Sequence, residues 1–230
     1  MDASVLVTGG TGGLGAAVTA RFLAGGWRVV VPWVHERELE RVERHDGLEL
    51  VQADLFEAEA VAGAVRLAAG NASAPLKAVV NLVGGYGAGS KVHKTPIEEF
   101  ERLFRLNLRP TYLVVAAAVP ELIAAGGGAI TCVSARAAIR PFSGAAGYVS
   151  AKAAVLAFVQ AVSVEYLADG VRCNAVLPSV IDTPAQRAGS PDSDFSKWVQ
   201  PAEIAAVIEF LSGDASSPIS GAGVPVYGRA

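Results

Sequence analysis

Cysteine is nearly absent from this chain. Cys132 and Cys173 are the only two, and neither belongs to a Cys-x-x-Cys or Cys/His cluster. That spacing matches none of the usual zinc patterns, so no metal site is expected. Both thiols sit in apolar runs, which reads as buried free cysteines in a reducing compartment. Histidine occurs only at His35, His45 and His93, all in polar stretches, and none is assigned chemistry. Positive charge is never concentrated: the formal net charge is −3 and no Lys/Arg run marks a nucleic-acid footprint. Apolar stretches are cut by glycine, proline or charge before the ~20 residues of a membrane span. Asp2 stands where a signal peptide would be basic. The expectation is a cytoplasmic protein whose partner is a small molecule, not a nucleic acid or a membrane.

What the chain does have is apolar content. Hydrophobic residues make up 52% of 230, enough for one large core and too many for disorder. Short apolar runs alternate with helical periodicity. Strands are predicted at 4–8, 28–33, 48–52, 78–83, 129–134, 171–177 and 224–227. Helices are predicted at 14–24, 36–44, 56–69, 96–125 (bent or broken at Pro110), 148–168 and 201–212. Such alternation specifies a single-domain α/β fold, a Rossmann-type doubly wound parallel sheet with helices on both faces. The segment 185–200, rich in Gly, Ser, Asp and Pro over its first part, reads as a mobile flap over a site.

Two motifs carry chemistry. The first strand runs into Thr8-Gly9-Gly10-Thr11-Gly12-Gly13-Leu14-Gly15 and then a helix. Glycines let the backbone turn tightly and approach a pyrophosphate, and the helix start offers N–H groups to the anion. Thr11, Gly12 and Leu14 belong to the same cradle. The second motif is Tyr148-Val149-Ser150-Ala151-Lys152. Four residues apart on a helix, Tyr148 and Lys152 share a face. A neighbouring ammonium is expected to lower the phenol's pKa and fit it for proton transfer. Lys152 is also placed to hydrogen-bond the ribose of a nicotinamide.

In order and spacing these motifs resemble the short-chain dehydrogenase/reductase family. The resemblance implies NAD(P)H as cofactor, with Gly9, Gly13 and Gly15 in the three glycine roles. It implies that Asp54-Leu55 holds the adenine, Asp54 reading equally as a helix cap. Asn81 and Gly84, in Asn81-Leu82-Val83-Gly84, stand for the family's run after the fourth strand. Asn107 stands for a helix asparagine that anchors a water behind the lysine, and Pro178 closes the cofactor site. The family's serine falls at Ala135, one position late for Ser134, which reads either as a carbonyl-polarising donor or as a structural hydroxyl. Trp33 occupies the place of the acid that reads the ribose of NAD, and Arg37 follows, so the expectation leans to NADP(H). The missing serine, with Gly84-Gly85-Tyr86, Val176-Leu177-Pro178 and Asp194 to Trp198, is similar to the dihydropteridine reductases. That implies hydride transfer to a small planar or carbonyl substrate, with a ketone or 3-oxoacyl reductase as the alternative and a non-catalytic sensor third. A pocket is expected where Tyr148, Tyr86, Pro178, the flap and Trp198 converge. The resemblance also implies a homo-oligomer, dimer or tetramer, joined through the helices of Asn107 and Tyr148. Val114, Val115, Ala116, Val155, Phe158 and Val159 are expected on their outer faces.

Overall fold

The computed structural model describes Met1 to Arg229, with every side chain among them except that of Arg41. Seven strands form one sheet in the order β3-β2-β1-β4-β5-β6-β7: β1 (Ser4–Thr8), β2 (Arg28–Trp33), β3 (Leu48–Gln52), β4 (Leu76–Asn81), β5 (Gly128–Val133), β6 (Val171–Pro178) and β7 (Gly223–Val226). Every neighbouring pair is parallel. Parallel pairing demands crossovers, and these supply α1 (Gly13–Ala24), α2 (Ala58–Ala69), α3 (Ile97–Ala124), α4 (Ala146–Glu165), α5 (Pro184–Gly189) and α6 (Pro201–Ser212). The strands read as continuous apolar runs because both sheet faces are covered.

One core packs Val5, Val7, Val29 and Val31 against Phe22 of α1 and Ile204, Ile208 and Leu211 of α6. The other packs Leu6, Val30, Val79 and Ile130 against α2, α3 and α4. Chain order reverses between β1 and β4, so a crevice opens beyond their carboxyl ends, the usual ligand position in such sheets.

Four expectations change here. The charged stretch 36–44 is not an α-helix but a 3-10 turn over Glu36–Arg41, since it offers only Leu39 and Val42 to a core. Helix α3 runs for 28 residues through both Pro110 and Pro120, so Pro110 does not break it. By length and composition alone α4 would suffice to cross a membrane, contrary to the earlier reading. It lies instead with Val155, Val159 and Val162 packed on the sheet. Val114, Val115, Val155 and Val159 are therefore core residues, each at most 2% exposed, and not an outer face.

Candidate active site

The glycine turn is built for close approach. Gly9 sits at φ +68°, a left-handed conformation that suits glycine. A Cβ on Gly15 would overlap the Gly9 carbonyl oxygen, so only glycine lets α1 start directly against the turn. The first helical bond runs from Ala16 N to Gly12 O at 2.8 Å, and no side chain caps this end among the described residues. The amides of Gly13, Leu14 and Gly15 thus precede the helix's own bonding and give the turn a partial positive charge.

Thr183 lies over the turn: a Cβ built on Gly13 would meet its methyl group at 2.9 Å. The expected mobile flap is tied down at this point. Thr183 caps α5 by accepting from Gln186 N at 3.2 Å. Asp182, its side chain 5% exposed, pairs with Arg187 and accepts from Gln200 Nε2 at 2.8 Å. Those two partners, the guanidinium first, hold the Asp182 carboxyl down at about 2. Trp198 is 8% exposed and packs edge-on to Phe195 at 4.7 Å, so it belongs to the flap's own packing and not to a pocket wall.

Around this cradle the sequence candidates separate. Thr11 is buried and donates its hydroxyl to Glu38 Oε2 at 3.0 Å. Trp33 is half-buried at the end of β2, and Arg37 is exposed. Leu14 packs partly on the core. Pro178 is buried and pairs with Val226. Leu55 is buried, while Asp54 is exposed and accepts from Phe56 N at 2.9 Å. Asn81, expected at the cofactor site, has its side chain taken up in a structural knot. Its side chain accepts from the Thr8 hydroxyl at 2.7 Å and donates to Thr111 Oγ1 at 2.8 Å, joining β1, β4 and α3. At 2% exposure it has no side-chain surface left for a ligand.

Tyr148 and Lys152 rise from the first turns of α4 toward the loop after β4. The Tyr148 ring meets Tyr86 edge-on, centroids 5.1 Å apart. Lys152 is 6% exposed and donates to the Val133 carbonyl at 3.0 Å. Asn107 grips the same loop from α3: its Oδ1 accepts from Gly85 N and its Nδ2 donates to Gly85 O, both at 3.1 Å. A Cβ on Gly84 would lie 2.6 Å from Asn107 Oδ1 and 3.0 Å from Lys152 Nζ, so loop, asparagine and lysine meet at one point.

Of the two readings of Ser134, the geometry favours the structural hydroxyl. Its hydroxyl is 2% exposed and donates to the Lys152 carbonyl at 2.8 Å, a strut between β5 and α4 in place of a donor to substrate. The expected electrostatics also differ. Burial, with Tyr86 beside it, pushes the Tyr148 phenol up to about 12, not down. Burial pulls Lys152 down to about 8. The ammonium is directed at a backbone carbonyl and is itself poorly solvated, so by itself it does little for the phenol.

The sequence reading gave no role to Thr183, which lies in a stretch similar to the dihydropteridine reductases, and none to Glu38. Thr183-Pro184 carries a readable signal, a capping hydroxyl before a proline at a helix start. Glu38 carries none, because its partner lies 27 positions away.

Comparison with known proteins fits this arrangement. The family model described as short chain dehydrogenase matches residues 3–194. The 2-(R)-hydroxypropyl-CoM dehydrogenase of Xanthobacter autotrophicus is 30% identical, the match covering 99% of this chain and 98% of that one. The 3-ketoacyl-(acyl-carrier-protein) reductase of Brucella melitensis, solved with NADH, superposes with a TM-score of 0.88 at 26% identity, covering 99% and 98%. ElxO with NADP bound reaches a TM-score of 0.90 at 22% identity, covering 98% and 97%, a likeness of fold.

Proposed function

This chain belongs to the short-chain dehydrogenase family and is an NAD(P)-dependent oxidoreductase, and on that footing we propose that it moves hydride to or from the carbonyl carbon of a small, flat substrate. The observation that carries the reading is the Tyr148 phenol standing half-buried beside Tyr86 at the crevice, with Lys152 buried behind it. The nicotinamide, when bound, supplies or accepts the hydride.

The chain's own residues do the rest. The amides of Gly13, Leu14 and Gly15 hold a diphosphate, and the bare turn leaves room for it. Thr183, whose methyl group lies beside Gly13, would flank the diphosphate. Asn107 holds Gly85 and so fixes the floor of the pocket. Tyr148 Oη gives a proton to the substrate oxygen in reduction and takes it back in oxidation. Lys152, whose pKa burial lowers to about 8, is placed to donate to a ribose hydroxyl.

The flat substrate is inferred from a gap. Ala135 stands at the family's serine position and Ser134 is committed to the Lys152 carbonyl, so the substrate oxygen receives little help beyond Tyr148. A conjugated or quinonoid carbonyl needs less, and Tyr86, 61% exposed, offers it an aromatic face. A dihydropteridine is the narrower form of this reading. A panel following NADH and NADPH oxidation against quinonoid dihydropterin, quinones and simple ketones tests it. Quinonoid or quinone turnover is expected to exceed ketone turnover, and reduction of ketones alone would overturn the flat-substrate reading in favour of an ordinary ketone reductase.

The partner reading keeps Phe158 and otherwise moves to different residues. Arg105, Leu108, Arg109, Tyr112 and Phe158 line an open groove along α3 and α4, Tyr112 being 58% exposed. A second copy related by a two-fold axis would cover it with the same face. Sedimentation is expected to give a dimer or tetramer that Tyr112→Glu splits; a wild-type monomer at micromolar concentration would refute this. The two free buried thiols support a reducing cytoplasm as the setting.

A further inference from the structure

The place where an acid usually reads the adenosine ribose holds Trp33, which leaves the choice between the two nicotinamide dinucleotides without an obvious determinant. The structure supplies one further along the chain. After β2 the backbone folds into the 3-10 turn Glu36–Arg41, and this returns Glu38 to the glycine turn, where Oε2 accepts from the Thr11 hydroxyl at 3.0 Å. Thr11 is 4% exposed, so the bond fixes the carboxylate against a buried anchor. It stands beside the cradle proposed for the diphosphate, on the β2 side, where the adenosine half of a dinucleotide emerges.

We propose that Glu38, held by Thr11, is the specificity residue for the adenosine ribose and selects NADH over NADPH. The inference rests on the reading of the glycine turn as a dinucleotide cradle. The Thr11 hydroxyl spends its proton on Oε2, and Oε1 is then an acceptor suited to a ribose 2′-hydroxyl. A 2′-phosphate in the same place meets a fixed carboxylate, and like charges held close disfavour binding strongly. Local composition agrees: residues 36–40 carry Glu36, Glu38 and Glu40 against Arg37 alone, and Arg37 is exposed. This proposal runs against the leaning toward NADP(H) drawn from Trp33 and Arg37.

The test is direct binding of NADH and NADPH to the full chain, without substrate, by nucleotide fluorescence titration at one fixed ionic strength. Wild type is expected to bind NADH roughly tenfold or more tightly than NADPH. Glu38→Gln keeps the shape and the bond to Thr11 while removing the charge, and it is expected to tighten NADPH binding and close most of the gap. Thr11→Val frees the carboxylate without removing it and is expected to weaken NADH binding and narrow the preference. Unfolding midpoints close to wild type will show that both variants are folded. Equal or tighter NADPH binding by wild type, or a ratio that Glu38→Gln leaves unchanged, overturns the assignment of Glu38 alone. Binding of neither nucleotide overturns the cradle and this inference with it.

Discussion

Tyr148→Phe is expected to lower kcat by roughly a hundredfold or more while NADH affinity stays within about twofold. The substitution removes one oxygen and nothing else. Tyr148 is only half-buried and its ring contact with Tyr86 survives in phenylalanine, so neither fold nor crevice should change. The size of the loss follows from the proton transfer. A substrate oxygen that gains negative charge as hydride arrives must be protonated, and with Ala135 at the serine position and Ser134 tied to the Lys152 carbonyl, Tyr148 is the donor at hand. Because burial holds the phenol at about 12, it is fully protonated at neutral pH and suited to reduction. The oxidative direction needs the phenolate and should accelerate as pH rises, over a wider range than reduction slows. Steady-state rates in both directions, with nucleotide binding measured separately, check this. Turnover close to wild type in the variant would remove Tyr148 from the chemistry.

Much of the scaffold is readable because its signals are local. Val5-Leu6-Val7 and Val29-Val30-Val31 are apolar on both faces, which only a covered parallel sheet explains, and the strand-glycine-helix order fixes where the cradle must lie. The errors occur where a long-range partner decides. Asn81 and Ser134 are polar residues beside motifs, but whether such a hydroxyl or amide faces a ligand depends on what stands across from it: Thr8 and Thr111 for the one, the Lys152 carbonyl for the other. Helix α4 is apolar nearly all round, so periodicity cannot say whether Val155 and Val159 meet the sheet or another subunit. Pro110 fails to break α3 because packing of residues such as Leu103, Val114 and Val115 outweighs one missing backbone bond. Glu38 is the clearest case. Its importance comes from a turn that leads the chain back to Thr11, and no spacing rule records such a return.

The buried lysine makes the second large prediction, on stability. In the folded chain burial lowers the pKa of Lys152 to about 8, against 10.5 when exposed. The folded state therefore holds its proton less tightly than the unfolded state. Between pH 8 and 10.5 the unfolded chain binds more protons, so stability rises with pH across that window, and below it the cost is present in full. The difference corresponds to roughly 3 kcal/mol. Lys152→Met keeps length and bulk, removes the charge, and gives up the bond to the Val133 carbonyl, worth about 1 kcal/mol. At pH 7 the variant should thus be the more stable protein by roughly 2 kcal/mol, a few degrees in Tm, though catalytically impaired. The advantage should shrink and reverse as pH approaches 10.5, where the folded lysine is neutral, the unfolded one has lost about half its charge, and wild type keeps its hydrogen bond. Urea unfolding of both proteins at pH 7 and pH 10 measures the crossover. A variant less stable than wild type by the same amount at both pH values would mean that Lys152 costs the fold nothing. A protein that retains such a cost has placed the charge for its chemistry and not for its stability.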